Sequence, residues 1–201
     1  SFPFLESESV EFERYWKDGQ FPYDKNELGN EIRSTQEQID GWKSKSASNY
    51  EASSLPLRYH FTKGNHSIRM TGVRESVAIS TLSVVSPEPV RDYSEYVADY
   101  PAADKENNWF QVVEAEQYKQ KSSIGIQKNS VQEPYISPDP KGHLVYNTLG
   151  GDRWQAPGQW VDWDFEVPRD GWYTIDVKYR QSFKGNTSVY RTILLDGRVP
   201  N

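Results

Sequence analysis

Between residues 159 and 167 the side chains change character at every step: Val161, Trp163, Phe165 and Val167 alternate with Trp160, Asp162, Asp164 and Glu166. Alternation of period two over this length predicts a strand with one buried and one solvated face. Pro168, Arg169, Asp170 and Gly171 then supply turn chemistry, because Asp-Gly accepts the positive φ angles of a tight hairpin. A second alternating run follows, with Tyr173, Ile175, Val177 and Tyr179 on one face and Trp172, Thr174, Asp176, Lys178 and Arg180 on the other. The pair predicts a half-solvated antiparallel hairpin. Residues 189–195 predict a further strand, and the sequence stops at Asn201 where a returning strand is expected, so the ending reads as a cut.

The first third has the same style. Leu57, Tyr59 and Phe61 alternate with Arg58 and His60, residues 63–65 make a turn, and Ile68 and Met70 resume the buried face. Residues 77–85 predict another strand, whose apolar positions change parity between Ile79 and Leu82 as a bulge would make them. Residues 27–54 are polar and poor in strand signals, and read as a long loop with one helical turn. A proline-containing connector, 86–109, separates the two β-rich parts, 1–85 and 110–201; within it Tyr93, Tyr96, Val97 and Tyr100 have helical spacing and predict a short helix over 91–100. The expected class is all-β.

Composition narrows the function classes. The 201 residues suffice for one ordinary domain or two small ones. Only 35% are hydrophobic, but 14% are aromatic, including 7 Trp and 13 Tyr, so ring bulk has to replace part of an aliphatic core. A net charge of −6 with scattered basic residues argues against a nucleic-acid partner, which needs a basic patch. No apolar stretch approaches the ~20 residues of a membrane-spanning helix. The absence of cysteine removes disulfides, thiolate metal sites and Cys nucleophiles. Abundant Trp and Tyr on an acidic chain lean towards an extracellular, sugar-facing protein, and a start at Ser1 reads as a processed or excised piece.

The stretches VVEAEQY, YNTLGGDRWQAPGQWVDWDFEVPRDGWYTIDVKYRQ and ILLDGRVP resemble galactose-binding-like carbohydrate-binding modules. The likeness is to the modules embedded in large sugar-transporter solute-binding lipoproteins of Gram-positive bacteria. FPYDKNELGNEIR and PLRYHFTKGNHSIRMTGVRESVAIS resemble the second half of such a module. The halves stand here in reverse order. The resemblance therefore implies a jelly-roll β-sandwich with permuted strand order in which the two halves share a core; two partial modules joined by a linker are the other arrangement. It also implies an oligo- or polysaccharide partner, neighbouring domains of a longer chain, and an extracellular or cell-surface bacterial location.

Site residues carry paired readings. Trp160 and Trp172 fall on the polar faces of their strands, where a flat ring either stacks on the C–H face of a pyranose or is covered by the connector or a neighbouring domain. Trp154 lies in a glycine-flanked loop beside Asp152, Arg153 and Gln155; it either offers a stacking plate with hydrogen-bonding neighbours or packs over the sandwich end. Trp163, on an apolar face, is expected in the core. Glu114 and Glu116 flank Ala115 on an expected strand and face the same way, which calls for a cation or a basic partner. By resemblance such glutamates help hold a structural Ca²⁺, although Ser80 stands where the pattern usually has Asp; a salt bridge is the alternative.

No metal spacing links His60, His66 and His143, and no nucleophile elbow, phosphate loop or HExxH motif occurs. Asp162 and Asp164 share a solvated face without the apolar pocket that raises a glycosidase acid. The expectation is a non-enzymatic carbohydrate-binding module, with a structural spacer that has lost its ligand as the alternative.

Overall fold

The computed structural model describes residues 10–48, 56–87, 92–100, 109–182, 185 and 187–197. The regular structure of these residues is β, with one six-residue helix and a single 3₁₀ turn. The main sheet is built from the first and the later part of the sequence. Strands β1 (Tyr15–Asp18), β4 (Gln36–Ile39), β5 (Gln120–Lys121) and β8 (Val161–Asp162) lie in the order β4-β1-β5-β8, all pairs antiparallel. Register runs Tyr15↔Ile39 to Asp18↔Gln36 on one side of β1, and Trp16↔Lys121 on the other. Lys121 in turn faces Val161.

Two small hairpins flank this sheet: β2 (Asp24–Lys25) with β3 (Glu31–Ile32), and β6 (Lys128–Asn129) with β7 (Thr148–Leu149). In the β2–β3 turn, Asn26 Oδ1 accepts the amides of Leu28 and Asn30, and Gly29 takes φ 78°. A side chain at Gly29 would also meet the His143 ring at 3.1 Å, so the turn is fitted to its neighbour. Leu144 N–H donates to Asn30 Oδ1 and Glu31 N–H to the Leu144 carbonyl, tying the β2–β3 hairpin to the approach to β7.

The interior holds few apolar residues. Tyr23, Ile126, Val145 and Val161 are buried, but so are Lys121, Lys128, Glu116 and Asn147. Such polar groups persist in a core only if bonded. Asn147 meets this condition by exchanging bonds with Val131 and donating to the Pro138 carbonyl.

The connector helix forms where its tyrosine spacing predicts, as α1 (Tyr93–Ala98), opened by Asp92, whose amide is accepted by Glu95 Oε2. Three other expectations are corrected. Residues 27–48 carry β3 and β4 rather than a long loop with one helical turn, and 49–54 lie outside the described residues; among the described residues β4 pairs with β1 alone, and its polar sequence shows no apolar face. Of the strands expected over 159–167, 172–180, 57–70, 77–85 and 189–195, only Val161–Asp162 joins a ladder of two or more residues. Tyr59, Phe61, Met70, Phe165, Ile175 and Val177 are exposed. Alternation encodes a two-faced strand, but ladder pairing and burial stabilise it, and among the described residues these segments, Val161–Asp162 aside, form no ladder of two or more residues and leave most of their apolar side chains exposed. The 114–117 segment, finally, is a turn closed by Gln117 N–H to the Glu114 carbonyl, so its two glutamates do not share a strand face.

Candidate functional site

Three expected site residues come together on the loop that follows β7. Gly150, at φ 93°, and Gly151, at φ 66°, turn the chain into the 3₁₀ segment Gly151–Arg153, leaving Asp152 and Arg153 exposed and Trp154 half-buried. A Cβ at Gly150 would lie 3.1 Å from Trp154 Cβ, so the loop needs glycine here for space as well as conformation. Gln159 fastens the far side: its Oε1 accepts the amides of Gln155 and Ala156, and its carbonyl accepts Trp154 Nε1–H at 3.1 Å. Trp163 stands beside Trp154 with ring centroids 6.3 Å apart and planes inclined at 48°. Expected in the core, Trp163 is half-buried here and donates its Nε1–H to the Ala115 carbonyl, because the sheet that would cover it is not paired beyond Asp162. The Arg191 guanidinium lies 4.9 Å from the Trp154 ring centre and donates to the Trp154 carbonyl, covering part of the plate.

The other two tryptophans go elsewhere. Trp160 packs edge-on against Tyr15 at 4.8 Å and donates its indole N–H to Glu13 Oε1. Trp172 meets Tyr96 and Tyr100 of the connector at 5.9 and 5.6 Å, the covering by the connector that was one of its two readings. Asp162 accepts from Gln120, and Asp164 pairs with Lys119 at 2.8 Å, so both exposed carboxylates have partners.

Glu114 and Glu116 sit in different surroundings. Glu114 is half-buried and accepts the Ser137 hydroxyl at 2.6 Å. Glu116 is only 3% exposed, and its Oε2 has no hydrogen-bond partner among the described residues. Burial, with the charge of Glu114 adding to it, pushes the Glu116 carboxyl up to about 7. It opens on a cleft of about 470 Å³ shared with Phe21, Glu31, Pro138 and Tyr146. For a calcium ion the fit is partial. The free Oε2 is a suitable hard ligand, but calcium takes six to eight oxygens, and among the described residues no group of three or more His, Cys, Asp or Glu side chains is placed to hold a metal. Ser80 is exposed.

Next to this cleft lies a polar cluster that the sequence does not announce. Asp18, at the end of β1, receives the Tyr23 hydroxyl on Oδ2 at 3.0 Å, and the Tyr118 hydroxyl and Gln36 amide on Oδ1 at 2.9 and 3.3 Å. Lys128 Nζ lies 2.5 Å from Asp18 Oδ2. The two tyrosines are held well above the ordinary phenol range, by burial first and by the Asp18 charge second. Lys121, fully buried, donates to the Ile126 carbonyl, and burial lowers its ammonium to about 8. Arg33 closes the cluster, donating to Gln127 Oε1 and the Lys128 carbonyl while lying over the Tyr146 ring. A lysine in a short polar strand reads as solvent-facing, so pattern alone carries no signal for this group.

Compared with protein-family models, with curated proteins and with solved structures, the chain matches none.

Proposed function

We propose that this chain is a non-catalytic carbohydrate-binding module of a secreted or cell-surface bacterial protein, folded as a galactose-binding-like jelly roll with permuted strand order. The observation that carries the reading is the 150–160 loop: two positive-φ glycines and the Gln159 clamp hold Trp154 half-exposed beside Trp163, with Asp152 and Arg153 free in solvent next to them. An aromatic plate flanked by a carboxylate and a guanidinium is what a pyranose recognises, with C–H groups on the ring and hydroxyls on the charges. A structural Ca²⁺ on Glu114 and Glu116 belongs to the same reading, supported by the free Glu116 Oε2.

Intrinsic tryptophan fluorescence titrated with soluble polysaccharides tests the site. Trp154→Ala is expected to weaken binding by about tenfold or more, equivalent to about 1.4 kcal/mol, whereas Trp172→Ala, whose ring packs on the connector tyrosines, leaves affinity unchanged. Equal affinity in wild type and Trp154→Ala would remove this loop from the reading. The second reading, a spacer that has lost its ligand, is favoured by one observation: Arg191 already lies over the Trp154 ring.

A further inference from the structure

A lysine and an aspartate shut away from water together are costly as ions, and condensation removes both charges at once. Lys128 and Asp18 meet that description: their side chains are 3% and 4% exposed, with Nζ 2.5 Å from Oδ2. Three rings enclose the ammonium, Phe21 at 3.7 Å, Tyr23 at 4.7 Å and Tyr118 at 4.9 Å from ring centre to Nζ. Burial draws Lys128 below the ordinary lysine range, against the opposing charges of Asp18, Glu116 and Glu31. The carboxyl group is held as firmly as the amine. Tyr23 donates to one oxygen, and Tyr118 and Gln36 to the other.

We propose that Lys128 Nζ and Asp18 Cγ join in an intramolecular isopeptide bond between β1 and β6. The step balances without any co-reactant. One ammonium proton passes to a carboxylate oxygen, and the freed amine lone pair attacks Cγ. The tetrahedral adduct places its oxyanion where the tyrosine and glutamine donors already point, the arrangement that stabilises acyl-transfer intermediates. Collapse breaks the bond from Cγ to the other oxygen, which leaves as water with a second proton from nitrogen, and the third remains as the amide N–H. Holding the two groups together supplies the effective concentration that a free amine and carboxylate lack in water, on the order of 10⁵–10⁸ M for well-oriented pairs. The charge of the buried Glu116 acts on Lys128, but the condensation balances without it.

The consequence is mechanical. Residue 18 belongs to the sheet segment contributed by the first part of the chain and residue 128 to the hairpin of the later part, so the bond would staple the two parts covalently. This inference does not depend on sugar binding.

The test is the intact mass of the full chain, denatured, followed by peptide mapping. The expected result is a mass lower than that of the sequence by one water, with a branched peptide joining the segments around Asp18 and Lys128. Lys128→Arg and Asp18→Ala should each recover full mass. Asp18 precedes Gly19, a pair that also loses water by cyclising to a succinimide. Water loss that persists in Lys128→Arg, or that yields no branched peptide, is that side reaction and overturns the proposal. So does a wild-type chain that keeps its full mass after long incubation at neutral pH.

Discussion

Replacing Glu116 by Gln should change how stability depends on pH in a calculable way. The Glu116 carboxyl is 3% exposed, one oxygen lacks a hydrogen-bond partner among the described residues, and burial lifts it from the ordinary 4.5 to about 7. In the pH range between those values the folded protein binds this proton and the unfolded chain does not. The contribution is therefore fully present below about 4.5 and lost as pH rises through about 7. At 1.36 kcal/mol per pH unit, the loss is at most ~3.5 kcal/mol. Gln cannot ionise, so Glu116→Gln should escape this loss. Urea unfolding in EDTA at steps from about pH 5 to pH 8, a window that avoids most other carboxylate titrations, isolates the effect. The wild-type midpoint should fall towards pH 8 relative to the variant, while the denaturant slope stays the same in both. Parallel curves for the two proteins would refute the burial argument.

Lys121 should act with the opposite sign: its ammonium is lowered to about 8 by burial, so its contribution rises as pH climbs from about 8 towards 10.5, and Lys121→Met should flatten that rise in the same urea assay. Lys128→Met removes the proposed bond and leaves the Asp18 carboxylate buried without its lysine, so it should cost at least about 3–5 kcal/mol; Asp18→Leu/Lys128→Met should recover the part due to the stranded carboxylate but not the part due to the lost bond, as calorimetric melts can verify. A calcium ion on Glu114 and Glu116 should make wild-type melting temperature fall on chelation and leave Glu116→Gln unmoved, since a ligand of the native state alone stabilises by mass action. Identical melts with and without EDTA, in protein free of trapped metal, would set calcium aside.

Local chemistry in the sequence was readable where it completes itself within a few residues. The connector helix, legible from its tyrosine spacing, forms at Tyr93–Ala98. The glycines at 150 and 151 marked a loop, which leaves Asp152 and Arg153 exposed and Trp154 half-buried. The strands depended on partners that alternation cannot name. Val161–Asp162 found β5, while Phe165, Ile175 and Val177, with equally regular spacing, have no ladder neighbour and remain exposed. Conversely, β1 and β4 pair Tyr15↔Ile39 through Asp18↔Gln36 from polar stretches without a clear apolar face. The buried cluster was hidden for a related reason. Asp18 and Lys128 are 110 positions apart, and their juxtaposition arises from pairing of β1 with β5 and the return through β6.

The most direct test of the carbohydrate-binding reading is isothermal titration of the full chain against a panel of purified polysaccharides and their oligosaccharides. Folding of each sample is checked first by a cooperative melt. Saturable binding to at least one member is expected, weakened about tenfold or more by Trp154→Ala, a change of about 1.4 kcal/mol. A folded chain that releases no heat of binding with any glycan, at concentrations well above those of weak sugar recognition, would contradict that reading and leave the spacer.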